Sequence, residues 1–108
     1  MDRAISQKVE DLQAARLAIA ERSRALAARE LEARTLRLGI EAELRAGTTK
    51  TEAEKFAKAD PRYLEHERTT MQIAYERDVL LATAENLRLV VLLGLEESRV
   101  DEPALVDA

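Results

Sequence analysis

The segment Leu87-Arg-Leu-Val-Val-Leu-Leu-Gly-Leu95 is the most apolar part of the chain, and it closes the stretch, residues 73–95, that decides the fold. Before it, Ile73 and Leu80 continue a seven-residue interval with Leu87. That interval is typical of a helix packed along another helix. From Leu89 onward the apolar side chains point all the way round the helix, and such a helix needs cover on every side. We therefore expect copies of the chain to associate there.

The composition favours long helices in one domain. The chain has 108 residues, of which 46% are hydrophobic, 35% charged and 3% aromatic. Ala, Leu, Glu and Arg dominate, which is typical of coiled coils. A pair of long helices buries only one apolar stripe of each helix. Because this is little buried apolar area per ordered residue, we expect a homo-oligomer.

Charge and cysteine content exclude several classes of function. The net charge is −4, so there is no overall basic field of the kind that marks nucleic-acid binders. The absence of cysteine removes disulfides, thiolate chemistry and cysteine-based zinc sites. We see no signal peptide at the amino terminus, and the apolar run is shorter than the roughly 20 residues needed to span a bilayer. A cytoplasmic protein without membrane contact is expected.

The first predicted helix covers residues 2–46 and carries two stripes. The seam toward a partner helix recurs every seven residues, at Ile5, Leu12, Ile19, Leu26, Ala33 and Ile40. A second stripe on another side, Leu17, Leu31 and Leu38, predicts a second neighbour across an oligomer interface. Gly39 inside this helix is expected to mark a close crossing or a bend. Gly47 is expected to end the helix in the left-handed conformation.

The next segment is rich in helix-start signals. Thr49 with Glu52 and Thr51 with Glu54 both have capping-box spacing, ahead of a short helix over residues 50–59. We expect Ala53, Phe56 and Ala57 to form its apolar face, with Phe56 folding the segment back over the helix pair. The dipeptide Asp60-Pro61 then begins the last helix, residues 61–97, with Asp60 as N-cap.

The fold class predicted from these elements is all-α: an elongated antiparallel helical hairpin, residues 1–97, with a short elbow helix. In that hairpin Leu44 would lie near Leu64, Leu26 near Ala82 and Leu12 near Leu95. Residues 98–108 form an acidic tail that we expect to be disordered. A homodimer forming a four-helix bundle is the favoured assembly, and a higher oligomer is the alternative. The residues predicted to form the oligomer interface are Leu17, Leu31, Leu38, Leu80, Leu87, Val90, Val91, Leu92, Leu93 and Leu95.

No constellation of residues indicates catalysis. His66, the only histidine, has no His or Glu at a spacing of three or four on its own helix face, so no metal site is predicted. There is no phosphate-binding loop and no nucleophile elbow, and a thin hairpin has little room for a pocket. We predict no enzyme activity and no cofactor. Several acids precede bases at the spacing of surface ion pairs: Glu30/Arg34, Glu41/Arg45 and Glu54/Lys58.

The basic residues support a second hypothesis, contact with nucleic acid. Phosphate contacts require positive charge and reach rather than a specific motif. Acids are interleaved with these bases, and the only aromatic residues beside them are Phe56 and Tyr63. Arginine stems also cover apolar helix surface, which is the structural alternative. The candidate contacts are Arg22, Arg24, Arg29, Lys50, Lys55, Lys58 and Arg62.

The segments Gly47-Thr-Thr-Lys-Thr-Glu-Ala-Glu-Lys55 and Ala59-Asp-Pro-Arg-Tyr-Leu64, followed by a long amphipathic helix, are the basis of a resemblance. Over roughly residues 30–97 the chain resembles small all-helical accessory proteins of tailed bacteriophages and prophages. It departs from their pattern at Thr51, where Asn is usual, and at Lys55, where Arg is usual. The resemblance implies no catalytic residues. It implies a phage protein acting in a bacterial host cell, near recombination or replication functions.

Three functions are compatible with these observations. The favoured one is a non-enzymatic homo-oligomeric scaffold or adaptor that binds itself and another protein. The alternatives are a DNA-associated accessory factor of phage recombination or replication, and an inhibitor of a host enzyme.

Overall fold

Three helices make up almost all of the chain that the structure describes. The computed structural model describes residues 3–101, with side chains through residue 97. In chain order the helices are α1 (Arg3–Leu44), α2 (Lys50–Ala59) and α3 (Pro61–Asp101). Within residues 3–101 there is no strand, so the all-α prediction is confirmed. Helix α3 continues past residue 97 to Asp101, and the rest of the predicted tail lies outside the described residues.

The chain divides into two compact units. Within the described residues, unit 1 consists of residues 3–21 of α1 and 77–101 of α3. Unit 2 consists of residues 22–76, which include the rest of α1, all of α2 and the start of α3. The single hairpin domain stays a prediction.

The end of α1 differs from the prediction. No glycine among the described residues has a positive φ, so Gly47 does not end the helix in the left-handed conformation. Instead the Thr48 hydroxyl donates to the Leu44 carbonyl oxygen at 2.7 Å, and the Gly47 N–H points to the same oxygen at 3.4 Å. A side-chain hydroxyl and a tight turn thus satisfy an orphan carbonyl that a left-handed glycine satisfies in other helices.

Both predicted helix starts after α1 are confirmed. The Thr49 hydroxyl accepts from the backbone N–H of Glu52, and the Glu52 carboxylate accepts from the N–H of Thr49, which completes the capping box. Of the two capping boxes that the sequence offers, α2 uses this one. At the start of α3 the Asp60 carboxylate accepts from the backbone N–H of Arg62 at 2.8 Å, as an N-cap residue does.

Three side chains of unit 2 are almost completely buried, one from α1 and two from α2. Ile40 is 1% exposed, Ala53 1% and Ala57 0%, so α2 turns its alanines into the core. Phe56 does not join them: it is 51% exposed, and the prediction that it folds over the helix pair is wrong. The alanine edge of α2 lets the backbone approach closely, and Phe56 lies at the border of this face.

Within unit 2, the contacts between α1 and α3 run in opposite order along the two helices. Arg22 pairs with Glu76, Arg29 with Thr70, and Glu43 with Arg62. On α1 the second set of inward positions lies three residues after the predicted seam, at Ala15, Arg22, Arg29 and Leu36. Two arginines therefore occupy the line along which α1 meets α3.

The predicted register of the helices is wrong. Because Arg29 contacts Thr70, Leu26 lies across from the turn around Ile73, while Ala82 belongs to the other unit. The prediction aligned Leu44 with Leu64, but Leu64 is 50% exposed and faces away from the seam. In unit 1 the first turn of α1 meets Gly94, so Leu12, two turns later, does not lie across from Leu95.

Unit 1 is held by a thin core. Leu12 and Ala15 are its buried residues. A Cβ atom added to Gly94 would lie 3.0 Å from both Cγ1 and Cδ1 of Ile5, so α3 closely approaches Ile5 at that glycine. Gly39 has nothing within 4 Å of such a Cβ, so the close crossing predicted there is wrong, and the alternative, a bend, stays a prediction.

Candidate interaction surfaces

The most apolar surface of unit 1 is the end of α3. Leu89, Val90, Leu92, Leu93 and Leu95 are between 43% and 64% exposed, with Leu93 the most exposed. They surround the helix because the sequence places apolar residues at consecutive positions rather than at helical intervals. Five such side chains on two turns form a contiguous apolar surface, which monomeric proteins seldom leave in water.

A groove runs beside this surface. It has a volume of about 320 Å³ and is lined from α1 by Ala4, Ile5 and Lys8, and from α3 by Val90, Val91, Leu93, Gly94 and Glu97. Its floor exists because Gly94 lacks a side chain. Its charged groups, Lys8 and Glu97, belong one to each helix. The groove can bind an apolar side chain, and its own rim carries one charged group on each side.

Three of the predicted interface residues lie on the face of α3 that is turned toward α1. Leu80, Leu87 and Val91 are half-buried, together with Ala84, at seam spacing. They pack mainly within unit 1, so less of their surface is available to another chain. The exposed members of the predicted set on α3 are Val90, Leu92, Leu93 and Leu95.

The predicted stripe on α1 is exposed along its length. In unit 1 Leu17 is 68% exposed, and in unit 2 Leu31 and Leu38 are 69% and 51% exposed. Each lies on the side of α1 away from the seam. Leu31 also borders a groove of about 530 Å³ in unit 2, between α1 and α3, where Arg34 and Glu67 face the same space.

Unit 2 has a second apolar stripe that the sequence reasoning missed. On α3, Leu64, Met71 and Tyr75 are 50%, 71% and 64% exposed. Their spacing of seven and then four residues is that of one helix face, so the signal was present in the sequence. A register that aligns Leu64 with the intrachain seam does not reveal this stripe.

Three of the arginines predicted to contact nucleic acid already have hydrogen-bond or ion-pair partners within unit 2. Arg22 Nε lies 3.3 Å from Glu76 Oε2. Arg29 donates from Nε to the Thr70 hydroxyl at 2.8 Å and from Nη2 to the His66 carbonyl at 3.0 Å. Arg22 and Arg29 each lie three residues after an apolar seam residue of α1. Their aliphatic stems cover apolar surface, while their guanidinium groups form hydrogen bonds or ion pairs with polar atoms of α3.

Arg62 is the third, and it links the end of α1 to the start of α3. It donates two hydrogen bonds to Glu43, at 3.1 and 2.7 Å, and further bonds to Asp60. The hydrogen bonds from Arg62 hold the pKa of the Glu43 and Asp60 carboxyl groups below their ordinary values, and the same bonds raise the pKa of Arg62. Arg62 and Glu43 are exposed and Asp60 is half-buried, so solvent screens much of the cluster.

The remaining candidate bases are exposed: Arg24 on α1, and Lys50, Lys55 and Lys58 on α2. Phe56, half-exposed, lies between two of these lysines in the sequence. The predicted surface pairs with Arg34, Arg45 and Lys58 do not form among the described residues, and Glu41 instead lies 3.7 Å from Arg37. Arg34, Arg45 and Lys58 are therefore exposed and have no acidic partner among residues 3–97.

The histidine is a seam residue rather than part of a cluster of ligands. Its Nε2 lies 3.4 Å from Glu32 Oε2, while Nδ1 is buried without a hydrogen-bond partner. Among residues 3–101, no group of three or more His, Cys, Asp or Glu side chains is placed to hold a metal ion. Within the same residues, no helix combines the length and apolar character that crossing a bilayer requires.

Comparison with protein-family models, with curated proteins and with solved structures finds no significant match to this chain. The resemblance to phage accessory proteins therefore stays a prediction, and the interaction surfaces carry the argument about function.

Proposed function

We propose that the chain is a non-enzymatic, homo-oligomeric scaffold or adaptor of phage or prophage type, acting in the cytoplasm of the bacterial host. In this proposal the helices form an antiparallel hairpin, and copies associate through the apolar end of α3. Another protein binds the assembly.

The observation that carries this proposal is the exposure of Val90, Leu92 and Leu93, which are 48%, 46% and 64% exposed. Burying the exposed part of such a side chain contributes roughly 1 kcal/mol. Several of them together, with the adjacent groove, supply the apolar centre that an interface between subunits requires. The core of unit 1, with Leu12 and Ala15 as its buried residues, gains most from such cover.

Molar mass measured by light scattering tests self-association. The wild-type chain is expected to show at least twice the mass of one copy, and Leu93→Glu is expected to reduce it toward one copy because the charge would have to be buried in the interface. Leu81→Glu is the matched control, because Leu81 is also on α3 and 48% exposed but lies outside the apolar run. A folded wild-type chain with the mass of one copy at every concentration would remove the proposal.

The adaptor role requires a partner, and the host-enzyme inhibitor would also have one. Capture experiments with the oligomeric wild-type chain and with Leu93→Glu separate the two. A scaffold is expected to lose its partner, or hold fewer copies of it, when the oligomer dissociates. An inhibitor that binds through another face keeps its partner at a ratio of one to one.

The second candidate function, a DNA-associated accessory factor, is favoured by α2. Lys55, Phe56 and Lys58 are exposed, which combines positive charge with an aromatic ring on which a base can stack. The acids Glu52 and Glu54 on the same helix oppose it.

A mobility shift with short single- and double-stranded DNA tests this candidate at low and high salt. DNA binding is expected to weaken with salt and to be lost in Lys55→Glu/Lys58→Glu, and Phe56→Ala is expected to reduce binding to single strands. Substituting Arg22 or Arg29 is not a clean test, because both bind α3. No shift at low salt would exclude this function.

A further inference from the structure

Unit 2 has two apolar faces on its outer sides, one on each long helix. Leu31 and Leu38 mark the α1 face, and Leu64, Met71 and Tyr75 mark the α3 face. The seam between the helices is marked by the hydrogen bond from Arg29 to Thr70. Nothing among residues 3–101 covers either face.

The two faces have the same spacing and opposite charge. The α1 face has Arg34 three residues after Leu31 and four before Leu38. The α3 face has Glu67 three residues after Leu64 and four before Met71. When two such helices lie parallel with their leucines level, Arg34 of one lies level with Glu67 of the other.

Both charged groups are available for that contact. None of the described residues forms an ion pair or hydrogen bond with the Arg34 or Glu67 side chain. The other acids of α3 within unit 2 are engaged, Glu65 with Arg68 and Glu76 with Arg22. The unpaired charge on each face therefore matches the one on the other face.

We propose that the α1 face of one copy binds the α3 face of a second copy, so that each copy contacts two neighbours through unit 2. The occupant is a second copy because this chain itself carries the complementary face. The two faces are different surfaces of the chain, so the contact between them is heterologous. Such a head-to-tail contact builds a ring or a filament rather than a closed dimer.

This inference rests on the proposed self-association through α3 and adds a second contact to it. A few side chains on each face bury less than the roughly 800 Å² per partner of a standard interface, so this contact is weak alone. Copies that are already joined at the end of α3 carry several α1 and α3 faces in one assembly. This raises the effective concentration of each face for its complementary face. The assembly should therefore grow with protein concentration.

Charge reversal tests the pairing, with molar mass followed by light scattering and sedimentation over a concentration series. Wild-type mass is expected to rise with concentration above the smallest assembly. Arg34→Glu and Glu67→Arg are each expected to stop this growth, weakening the contact about tenfold, because each places like charges together. Helix content by circular dichroism is expected to stay unchanged, because neither side chain has a hydrogen-bond or ion-pair partner among residues 3–97.

Mixing the two single variants is the decisive experiment. In the mixture, the glutamate introduced at position 34 of one variant meets the arginine introduced at position 67 of the other. The unchanged Arg34 likewise meets the unchanged Glu67, so growth is expected to return. A pair formed within one chain cannot produce this rescue, although Arg34 and Glu67 border the same groove.

Four results would overturn the inference. If Glu67→Arg has no effect while Arg34→Glu does, α1 pairs with something other than the α3 face. If mixing gives no rescue, the two charges do not meet. A wild-type mass that is constant with concentration but still falls in Leu93→Glu removes this contact and leaves the proposed scaffold standing, whereas a single-copy wild type removes both.

Discussion

The two glycines inside the long helices provide a direct test of how the helices pack. Gly39 and Gly94 both lie in helix interiors, where alanine is more favourable by about 1 kcal/mol. At Gly39 a new methyl group meets nothing within 4 Å, so Gly39→Ala is expected to increase the free energy of unfolding by that amount. For a chain of this size the midpoint of thermal unfolding rises by about 4–8 °C.

The same substitution at Gly94 is expected to behave differently. Its methyl group would lie 3.0 Å from two carbons of Ile5, and forcing extra atoms into a packed contact costs about 1–3 kcal/mol. The gain in helix propensity is therefore cancelled or reversed, and Gly94→Ala is expected to change the free energy of unfolding by between zero and about −2 kcal/mol.

A double-mutant cycle with Ile5→Ala assigns the cause. Because Ile5→Ala removes both carbons that crowd Gly94, adding Gly94→Ala in that background is expected to recover the gain of about 1 kcal/mol. Urea unfolding of all variants at one protein concentration measures these values, since association makes stability depend on concentration. If Gly94→Ala stabilises the wild-type chain as much as Gly39→Ala does, the close approach of α1 and α3 at Ile5 is refuted.

Three further predictions concern unit 2. Arg62→Gln removes the hydrogen bonds that lower the pKa of the Glu43 and Asp60 carboxyl groups. The wild type is therefore expected to be more stable than the variant above the ordinary carboxyl pKa of about 4, and this difference is expected to vanish as pH falls through the lowered pKa values. A difference in thermal midpoint that is constant from neutral to acid pH would contradict this. Arg29→Ala is expected to lower the free energy of unfolding in urea by about 1.5–3 kcal/mol, because the charged hydrogen bonds from Arg29 to α3 are lost. Arg24→Ala, at an exposed site, is expected to change it by no more than about 0.5 kcal/mol. Equal losses in the two variants would place Arg29 outside the seam. Ala57→Leu is expected to lower the free energy of unfolding by about 1–3 kcal/mol, because Ala57 has no exposed surface and the larger side chain does not fit. Ala59→Leu, on the exposed side of α2, is expected to leave it unchanged. Similar thermal midpoints for the two variants would show that α2 is not packed through Ala57.

Much of the local structure could be predicted from the residues alone. Apolar residues at seven-residue intervals indicate long helices, and Thr49, Glu52, Asp60 and Pro61 mark where the later helices begin, because capping depends on neighbours in sequence. The apolar end of α3 could also be recognised, since consecutive leucines and valines cannot all face one partner.

The errors in helix register share one physical origin. A repeat along a helix specifies which face is apolar, but sliding one helix along its partner leaves that face unchanged, so Leu26 was placed beside Ala82. The choice between inward and outward arginines likewise depends on what lies across the seam: Arg29 faces inward because Thr70 and a carbonyl accept its hydrogen bonds, and Arg24 has no such partner there.

The sequence by itself determined that this chain is helical, where α2 and α3 begin, and that the end of α3 is too apolar to be covered by one helix. Only the tertiary structure decided the register, the close contact of Gly94 with Ile5, and the exposure of Phe56 and Met71. Helix formation depends on interactions over a few residues, whereas register and exposure depend on how whole surfaces pack, and that information is spread across residues far apart in the chain.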